Sequence, residues 1–226
     1  MTSSTQVLAQ LKSKARHENL EGMARFGMAV EKRLGVSVPE MRKIAKEIGR
    51  DHPLALNLWK TGIAEARIVA SMIAVPEEMS SKDLETWVLG IDSWDVCDQV
   101  CMNLFEKTPL ARQKIPEWSA REKEFVKRAA FALIACLAWH DKAAPDAEFR
   151  GYLRLIKRGA GDDRNFVKKA VSWALRNIGK RNASLKNSAI GAAREIQQMG
   201  SKAARWIAAD ALRELEGAKA RKRSLK

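Results

Sequence analysis

Several residue types are scarce in this sequence, and their scarcity narrows the class of protein. The 226 residues include only three cysteines, six prolines, 13 glycines and one tyrosine. Cys97, Cys101 and Cys136 lie in helix-like apolar runs, which indicates small buried side chains in a reducing compartment rather than disulfides. No stretch approaches 18 uncharged apolar residues, so we expect no membrane span, and residues 1–9 lack the features of a secretory signal. The composition predicts a soluble, cytoplasmic protein.

Runs of β-branched residues with a period of two are also missing. Apolar residues instead recur at intervals of three and four almost throughout, so the sequence predicts an all-α protein. The predicted helices span residues 5–16, 19–34, 39–50, 53–60, 64–75, 80–90, 93–105, 109–118, 121–139, 146–158, 163–179, 184–198 and 202–216.

A weak internal repeat predicts how these helices are arranged. Residues 125–129 (FVKRA) match residues 166–170 (FVKKA), and residues 174–178 (ALRNI) match residues 211–215 (ALREL). A period near 40 with two helices is the signature of a HEAT-like-repeat α-solenoid, whose stacked helical pairs curve around a concave surface. Coincidental similarity between amphipathic helices is the alternative. We predict one such domain over residues 1–216, as a monomer, followed by a basic, disordered tail over residues 217–226.

The excess of positive charge is confined to the second half of the chain. Residues 1–120 contain 16 basic and 16 acidic side chains, whereas residues 121–226 contain 25 and 11, which accounts for the net charge of +14. A one-sided cationic surface favours a polyanion, most simply nucleic acid; an acidic membrane surface is a weaker competitor, and solubility alone is a further explanation. Lys127 and Arg128 occupy the same repeat positions as Lys168 and Lys169. We therefore expect these cations on one side, in a concave basic groove able to hold a duplex backbone.

The predicted helix over residues 163–179 combines an aromatic side chain with bases. Lys169, Trp173, Arg176 and Lys180 share one face, at the spacing i, i+4, i+7, i+11. An indole among three bases is typical of a nucleic-acid site, because it presses against sugar or base surfaces while its neighbours hold phosphates. A core position for Trp173 is the alternative. Five other tryptophans are interpreted as core residues: Trp59, Trp87, Trp118, Trp139 and Trp206.

In the segment over residues 92–98, Asp98 is the acid that helix formation does not explain. It lies on one helical stripe with Trp94, Cys101 and Phe105, which places a carboxylate among apolar and aromatic groups. A partly buried acid requires a partner or a function. An ion pair with a basic residue of a neighbouring helix, such as Arg128, is the structural alternative to a catalytic role.

The acids that precede Asp98 have a local explanation. Asp92 or Ser93 can cap a helix, and Asp95 then lies in its first turn, where the helix dipole stabilises a carboxylate. We therefore assign these residues to helix initiation.

Other chemistries have little support. The three histidines are scattered, the pair Cys97 and Cys101 has no second pair of ligands at zinc spacing, and no glycine-rich phosphate loop or nucleophile elbow is present. We predict no metal and no cofactor. One carboxylate, two tryptophans and a basic groove remain as functional groups.

Five segments resemble the AlkD-type DNA alkylation-repair glycosylases, a HEAT-like-repeat family, and the resemblance covers nearly the whole chain to about residue 217. The segments span residues 34–42, 64–68, 93–98, 125–129 and 165–176. In this family an aspartate one helical turn after a tryptophan is the catalytic carboxylate, and a second tryptophan completes an aromatic cleft. The resemblance implies that Asp98 is catalytic and that Trp94 and Trp173 form the lesion cleft. Some members have two adjacent tryptophans before the acid, where this sequence has Ser93 and Trp94.

The resemblance also implies the DNA-binding residues and the reaction. Arg128 matches the arginine of the family, and Arg176 and Lys180 match its basic groove; with Lys168 and Lys169 they are the expected phosphate contacts. The implied substrate is duplex DNA with N3- or N7-alkylated purines, cleaved hydrolytically by a monofunctional DNA repair glycosylase. Some relatives on this fold lack glycosylase activity, so the alternative is a non-catalytic solenoid that binds nucleic acid or an acidic protein.

Overall fold

The computed structural model describes residues 2–223, with side chains described for residues 2–217. Within this part of the chain, regular structure consists of 13 α-helices and two 3-10 helices, and strands are absent, which confirms the all-α prediction. The α-helices are α1 (Ser4–Ser13), α2 (Glu18–Arg25), α3 (Val38–Ile48), α4 (His52–Lys60), α5 (Ala64–Ile73), α6 (Ser81–Leu89), α7 (Trp94–Asn103), α8 (Ala111–Ser119), α9 (Glu124–His140), α10 (Asp146–Gly159), α11 (Asn165–Lys180), α12 (Ala183–Gln197) and α13 (Lys202–Arg223). The 3-10 helices are Pro76–Glu78 and Phe105–Lys107.

Side-chain caps begin several of these helices. The Asp51 carboxylate accepts the N–H of Leu54 at 2.9 Å, and the Asn182 side-chain oxygen accepts the N–H of Leu185 at 2.9 Å. Each cap satisfies a backbone donor that the first helical turn leaves without a partner. The capping residues therefore fix the starts of α4 and α12.

The second predicted helix, over residues 19–34, is wrong in length. Helix α2 ends at Arg25, and residues 26–37 form an irregular segment. Gly27 and Gly35 have positive φ angles of 76° and 77°, a conformation that a helix does not allow and that glycine adopts without steric cost. The segment between these glycines contacts α7, as described below.

The chain divides into two compact units between Ala111 and Arg112. The N-terminal unit contains α1 to α7 and packs α3 against α5 and α5 against both α4 and α7. Its buried core includes Trp59 and Trp87, whose rings stack with centroids 4.2 Å apart. The C-terminal unit packs α11 against α9, α12 and α13.

Contacts within the C-terminal unit show the repeat physically. The rings of Phe125 and Phe166, the first residues of the matching pentapeptides, stack with centroids 5.5 Å apart. Ten residues further along α9, the carbonyl of Ala135 accepts the side-chain N–H of Asn177 at 3.1 Å. Both contacts advance in the same direction, so α9 and α11 are parallel neighbours, offset by about 41 residues.

Helices α11 and α13 continue this arrangement. The Lys168 amine lies 5.1 Å from the centre of the Trp206 ring, and the Ser172 hydroxyl donates to Asp210 at 2.7 Å. These pairs again advance together along both helices, now with an offset of 38 residues. The HEAT-like arrangement predicted from the repeat is confirmed in this unit.

The structure separates the tryptophans into core and surface residues. Trp59, Trp87 and Trp118 are buried, as predicted. Trp139 and Trp206 are 56% and 40% exposed, so the prediction that they pack in the core is wrong. A lysine amine lies over each of these two rings, which accounts for an aromatic side chain on a solvated helix face. The three cysteines are buried and free, as expected.

Helix α13 extends beyond its predicted end at residue 216. It runs to Arg223, where the sequence predicts a disordered basic tail from residue 217. The last three residues of that tail lie outside the described residues, as do the side chains from residue 218 onward.

Candidate nucleic-acid interface and carboxylate

Trp94 and Asp98 lie at the start of α7. Trp94 is the first residue of the helix and Asp98 follows one turn later, so the two side chains share a helix face. Both are partly exposed, whereas Cys101 and Phe105, on the same predicted stripe, are buried. The stripe therefore runs from the surface into the core, and the carboxylate lies at its accessible end.

A buried ion pair fixes this end of α7. The Arg33 guanidinium donates to both oxygens of Asp95, at 2.7 and 2.9 Å, and its side chain is only 3% exposed. The Ser93 hydroxyl donates to Asp95 at 2.6 Å and accepts the N–H of Ala29 at 3.3 Å. A bidentate pair with buried geometry holds its partners in one orientation. The irregular segment and the first turn of α7 are therefore joined.

This network corrects the helix-initiation assignment. Ser93 is the N-cap residue by position, but its side chain makes no capping hydrogen bond, because the hydroxyl is used by Asp95 and Ala29. Asp95 does lie in the first turn, as predicted, and it also binds Arg33. Sequence reasoning missed Arg33, which lies about 60 residues away with no spacing pattern to connect it to α7.

The indole of Trp94 has its own anchor. Its Nε1–H donates to the backbone carbonyl of Phe26 at 3.0 Å. Phe26 follows α2 directly, and its ring is 74% exposed. This hydrogen bond, made by the nitrogen at the edge of the ring, fixes the orientation of the indole. The ring nevertheless remains partly exposed to solvent.

Helix α11 carries the predicted aromatic and basic face of the C-terminal unit. Trp173 is partly exposed and Lys169 is exposed. Arg176 and Lys180 lie on the same face, but both are engaged by α13: the Arg176 Nε lies 3.2 Å from an Asp210 oxygen, and both side chains form ion pairs with Glu214. Two of the predicted phosphate contacts are thus paired with carboxylates.

The pairing with Lys180 and Arg176 lowers the pKa of Glu214. Burial raises its pKa, but hydrogen bonds from Lys180 and Arg176 outweigh that effect, and the pKa is lowered from its usual value. Sequence reasoning considered α11 alone and missed this acid. The 37-residue repeat spacing contained the signal, since it aligns Arg176 with Arg213 and so places Glu214 beside the basic stripe.

The cations at the start of α9 differ from their repeat equivalents on α11. Arg128 is 5% exposed, and its guanidinium donates to the carbonyl of Phe166 at 2.6 Å. Lys127 lies 3.2 Å from Asp162. Lys169 is exposed and Lys168 is half-buried over the Trp206 ring, so the expected equivalence of the two pairs is not observed. The reason is that α11 and the segment before it cover the start of α9.

Asp162 is the acid that receives Lys127. A hydrogen bond from Arg164, which lies 2.6 Å away, is the main reason that the pKa of Asp162 is lowered to about 2. Burial opposes this effect, and the backbone N–H of Arg164 and the Lys127 amine support it. Asp162 therefore remains ionised and holds two cations near the start of α11.

The described residues contain neither a cluster of metal ligands nor a helix able to span a membrane. Among residues 2–217, histidine, cysteine, aspartate and glutamate side chains form no group of three or more that could hold a metal ion. In the same part of the chain, none of the helices is long and apolar enough to cross a membrane.

Comparison with known proteins places the chain in a family. The family model described as "DNA alkylation repair enzyme" matches residues 7–215. The chain belongs to the DNA alkylation repair family. This membership confirms the resemblance identified from the five sequence segments.

Solved structures are similar to this chain to different degrees. One, described as a new family of proteins related to the HEAT-like repeat DNA glycosylases with affinity for branched DNA structures, is 21% identical, with a TM-score of 0.78 over 91% of this chain and 92% of that chain. A designed armadillo repeat protein in complex with the peptide (KR)4 is 15% identical, with a TM-score of 0.42 over 95% and 100% of the two chains. No curated protein matches the sequence. The first likeness confirms the HEAT-like fold.

Proposed function

We propose that this protein is a monofunctional DNA glycosylase that hydrolyses the N-glycosidic bond of N3- or N7-alkylated purines in duplex DNA. The position of Asp98 carries the proposal. Its carboxylate is partly exposed, lies one helical turn from the partly exposed Trp94, and belongs to a helix end that the buried pair of Arg33 and Asp95 holds in place. This is the arrangement expected of an acid that acts on a ligand.

The chemistry of the substrate explains why one carboxylate is sufficient. A purine alkylated at N3 or N7 is cationic, so it leaves without protonation by a general acid. As the bond breaks, positive charge moves onto the deoxyribose, where Asp98 stabilises it and orients the attacking water. An attraction over about 4 Å at an effective dielectric of about 20 is worth roughly 4 kcal/mol, on the order of a thousandfold in rate. A neutral base requires more, so cationic lesions are the expected substrates.

The other predicted residues bind the DNA. We infer that Trp94 and Trp173 each contact the lesion, because indole rings favour the cationic base and the sugar edge. Of the five predicted phosphate contacts, Lys169 and Lys180 are exposed, Lys168 and Arg176 are half-buried, and Arg128 is buried. Lys180 and Arg176 pair with Glu214, so Lys169 is the exposed contact without a described carboxylate partner. The reaction needs no amine nucleophile, metal or ATP, and we expect hydrolysis without strand cleavage.

A related structure favours a second candidate function. Its description gives affinity for branched DNA, so a non-catalytic protein that binds DNA through the same cations is the alternative. The two functions share the charged surface, and only the use of Asp98 separates them.

Release of free base from methylated duplex DNA tests the proposal. We expect release of N7-methylguanine or N3-methyladenine without ATP and in the presence of EDTA. The variant Asp98→Asn should keep its fold and DNA affinity but lose at least roughly a hundredfold in rate, because the change removes the charge and nearly keeps the shape.

The variant Asp92→Asn is the matched control. Asp92 lies two residues before α7, is exposed, and loses the same charge, but its only described ion pair is a long contact with Arg67 at 3.4 Å. Its rate should match the wild type. Normal excision by Asp98→Asn would contradict the assigned role. Absence of release by the wild-type protein, together with tighter binding to a four-way junction than to a duplex, would support the alternative.

A further inference from the structure

The N-terminal unit contains a groove lined by cations, although residues 1–111 hold 14 basic and 15 acidic side chains. The groove has a volume of about 270 Å³ and opens beside the second half of α3. Its lining residues are Arg42, Ala45, Lys46, Gly49, Arg50, Met72 and Asn103. Three of these are basic and none is acidic. We call this feature the α3 groove.

The acids of α3 are directed to other partners. Glu40 forms an ion pair with Lys43 at 2.8 Å, and Glu47 accepts a hydrogen bond from Gln10 at 2.9 Å. Glu47 thus contacts α1, while Arg42 and Lys46 line the groove. The helix thereby separates charges that cancel in the sequence. Among the described side chains, neither Arg42 nor Lys46 forms an ion pair, and both are exposed.

In the part of the chain that the structure describes, Arg50, unlike Arg42 and Lys46, makes side-chain hydrogen bonds to the backbone. Its guanidinium donates to the carbonyl of Met72 at 3.4 Å and to that of Ala74. These carbonyls belong to the end of α5, where the last helical turn leaves acceptors without a helical partner. Arg50 therefore ties α5 to the end of α3 and forms one wall of the groove. Arg42 and Lys46 remain available for a ligand.

We propose that the α3 groove binds the phosphate backbone of duplex DNA. The choice of DNA as partner rests on the proposed function; the cationic groove itself does not. Arg42 and Lys46 lie one turn apart, about 6 Å along the helix axis, which suits two neighbouring phosphates of one strand. A lining with three basic side chains and no acidic one favours an anionic ligand. The regularly spaced phosphates of a duplex can pair with Arg42 and Lys46 at this separation.

Salt dependence of binding to an unmodified duplex of about 20 base pairs tests this inference. The double variant Arg42→Gln/Lys46→Gln keeps side chains with good helix propensity on an exposed face, so we expect it to fold normally. Two lost phosphate contacts should flatten the log–log salt slope by about 1.8 and weaken binding at low salt by roughly tenfold. The single variant Lys46→Gln should flatten the slope by about 0.9.

The double variant Lys12→Gln/Lys14→Gln is the control. Both lysines are exposed in the same unit, and the same charge is removed. Its slope should equal that of the wild type. Equal flattening in the two double variants, or no change in either, would overturn the inference. So would a loss of binding to polyglutamate with unchanged binding to the duplex, which would assign the groove to an acidic protein.

The test does not depend on glycosylase activity. Binding is measured on unmodified DNA, so a protein that releases no base would still show the change in slope if the α3 groove holds phosphates. Conversely, normal base release with an unchanged slope would overturn the groove and leave the proposed function in place.

Discussion

The two units differ in whether their basic side chains are paired with carboxylates. The C-terminal unit contains the excess of cations, but Arg176 and Lys180 are paired with Glu214, and Lys127 with Asp162. The N-terminal unit has nearly balanced charge, yet Arg42 and Lys46 line a groove whose described lining residues include no carboxylate. A phosphate binds readily to a cation that has no carboxylate partner. The net charge of a segment therefore does not identify its binding surface; the pairing of individual side chains does.

The units also differ in how they hold their aromatic side chains. Trp94 begins a helix whose first turn is fixed by a buried ion pair, and its indole donates to a carbonyl of an irregular segment. Trp173 lies in the middle of α11, between parallel neighbours of a repeat. The first site depends on contacts distant in sequence, whereas the second follows from the repeat itself.

Replacing Trp94 or Trp173 with alanine should give the largest effect, a loss in the rate of base release. Trp173→Ala should lower the rate of base release by roughly tenfold, equivalent to about 1.4 kcal/mol of lost contact with the cationic lesion. Affinity for unmodified duplex should change less, because the phosphate contacts remain. Trp94→Ala should lower the rate at least as much, since it also loses the hydrogen bond to Phe26. Single-turnover rates and affinities separate the two effects.

Trp139→Ala is the control for both variants, because Trp139 is exposed and lies outside the predicted cleft. Its rate should equal that of the wild type. An equal loss of rate and affinity in Trp173→Ala, or a collapsed circular dichroism spectrum, would instead assign this indole to the core.

The sequence predicts the C-terminal unit better than the N-terminal unit. The match between residues 125–129 and 166–170 correctly anticipates a repeat, and Phe125 stacks on Phe166. Phe125 and Phe166 meet because parallel neighbouring helices of a repeat bring equivalent residues together. The predicted helix over residues 19–34 is too long, since apolar periodicity continues through Gly27 although its positive φ breaks the helix.

The candidate site is predictable only in part, for a related reason. The spacing of Trp94 and Asp98 places both on one face of α7, as observed. The partners that decide whether a charged side chain is available to a ligand come from other segments of the chain. Asp95 is paired with Arg33 of the irregular segment. Arg176 is paired with Asp210 and Glu214 of α13. Periodicity describes one helix at a time, so it cannot distinguish an accessible cation from a paired one. It also cannot distinguish the exposed Trp206 from the buried tryptophans.

Acid titration of stability tests the pairing in the C-terminal unit. The pKa of Asp162 is lowered from 3.8 to about 2, mainly by Arg164. A lowered carboxyl pKa contributes stability that is fully present above the unfolded value, and this stability is lost as the pH falls from about 4 toward 2. Asp162→Asn should lower the free energy of unfolding at pH 7 by about 1 to 2 kcal/mol.

The same variant should lose less stability than the wild type between pH 4 and pH 2, as followed by urea unfolding at each pH. Asp92→Asn, which removes an exposed carboxylate from the N-terminal unit, should follow the wild-type curve. Parallel curves for Asp162→Asn and the wild type would show that Asp162 does not hold its cations in solution.

Glu214→Gln should give the smallest effect, and it tests the comparison between the units directly. The change removes the carboxylate that pairs with Lys180 and one of the two that pair with Arg176. Lys180 then becomes available to phosphates, while Arg176 keeps its contact with Asp210. We expect binding to an unmodified duplex to tighten by roughly threefold near 0.1 M salt and the log–log salt slope to steepen by about 0.9, the value for one added phosphate contact. Glu195→Gln is the matched control, because it removes the same charge from α12, where Glu195 pairs with Lys157. If both variants tighten binding equally, net charge alone governs affinity. If neither does, Lys180 does not contact the backbone. Tightening in Glu214→Gln alone would make the acids of α13 the reason that the more basic unit has fewer available cations than its sequence predicts.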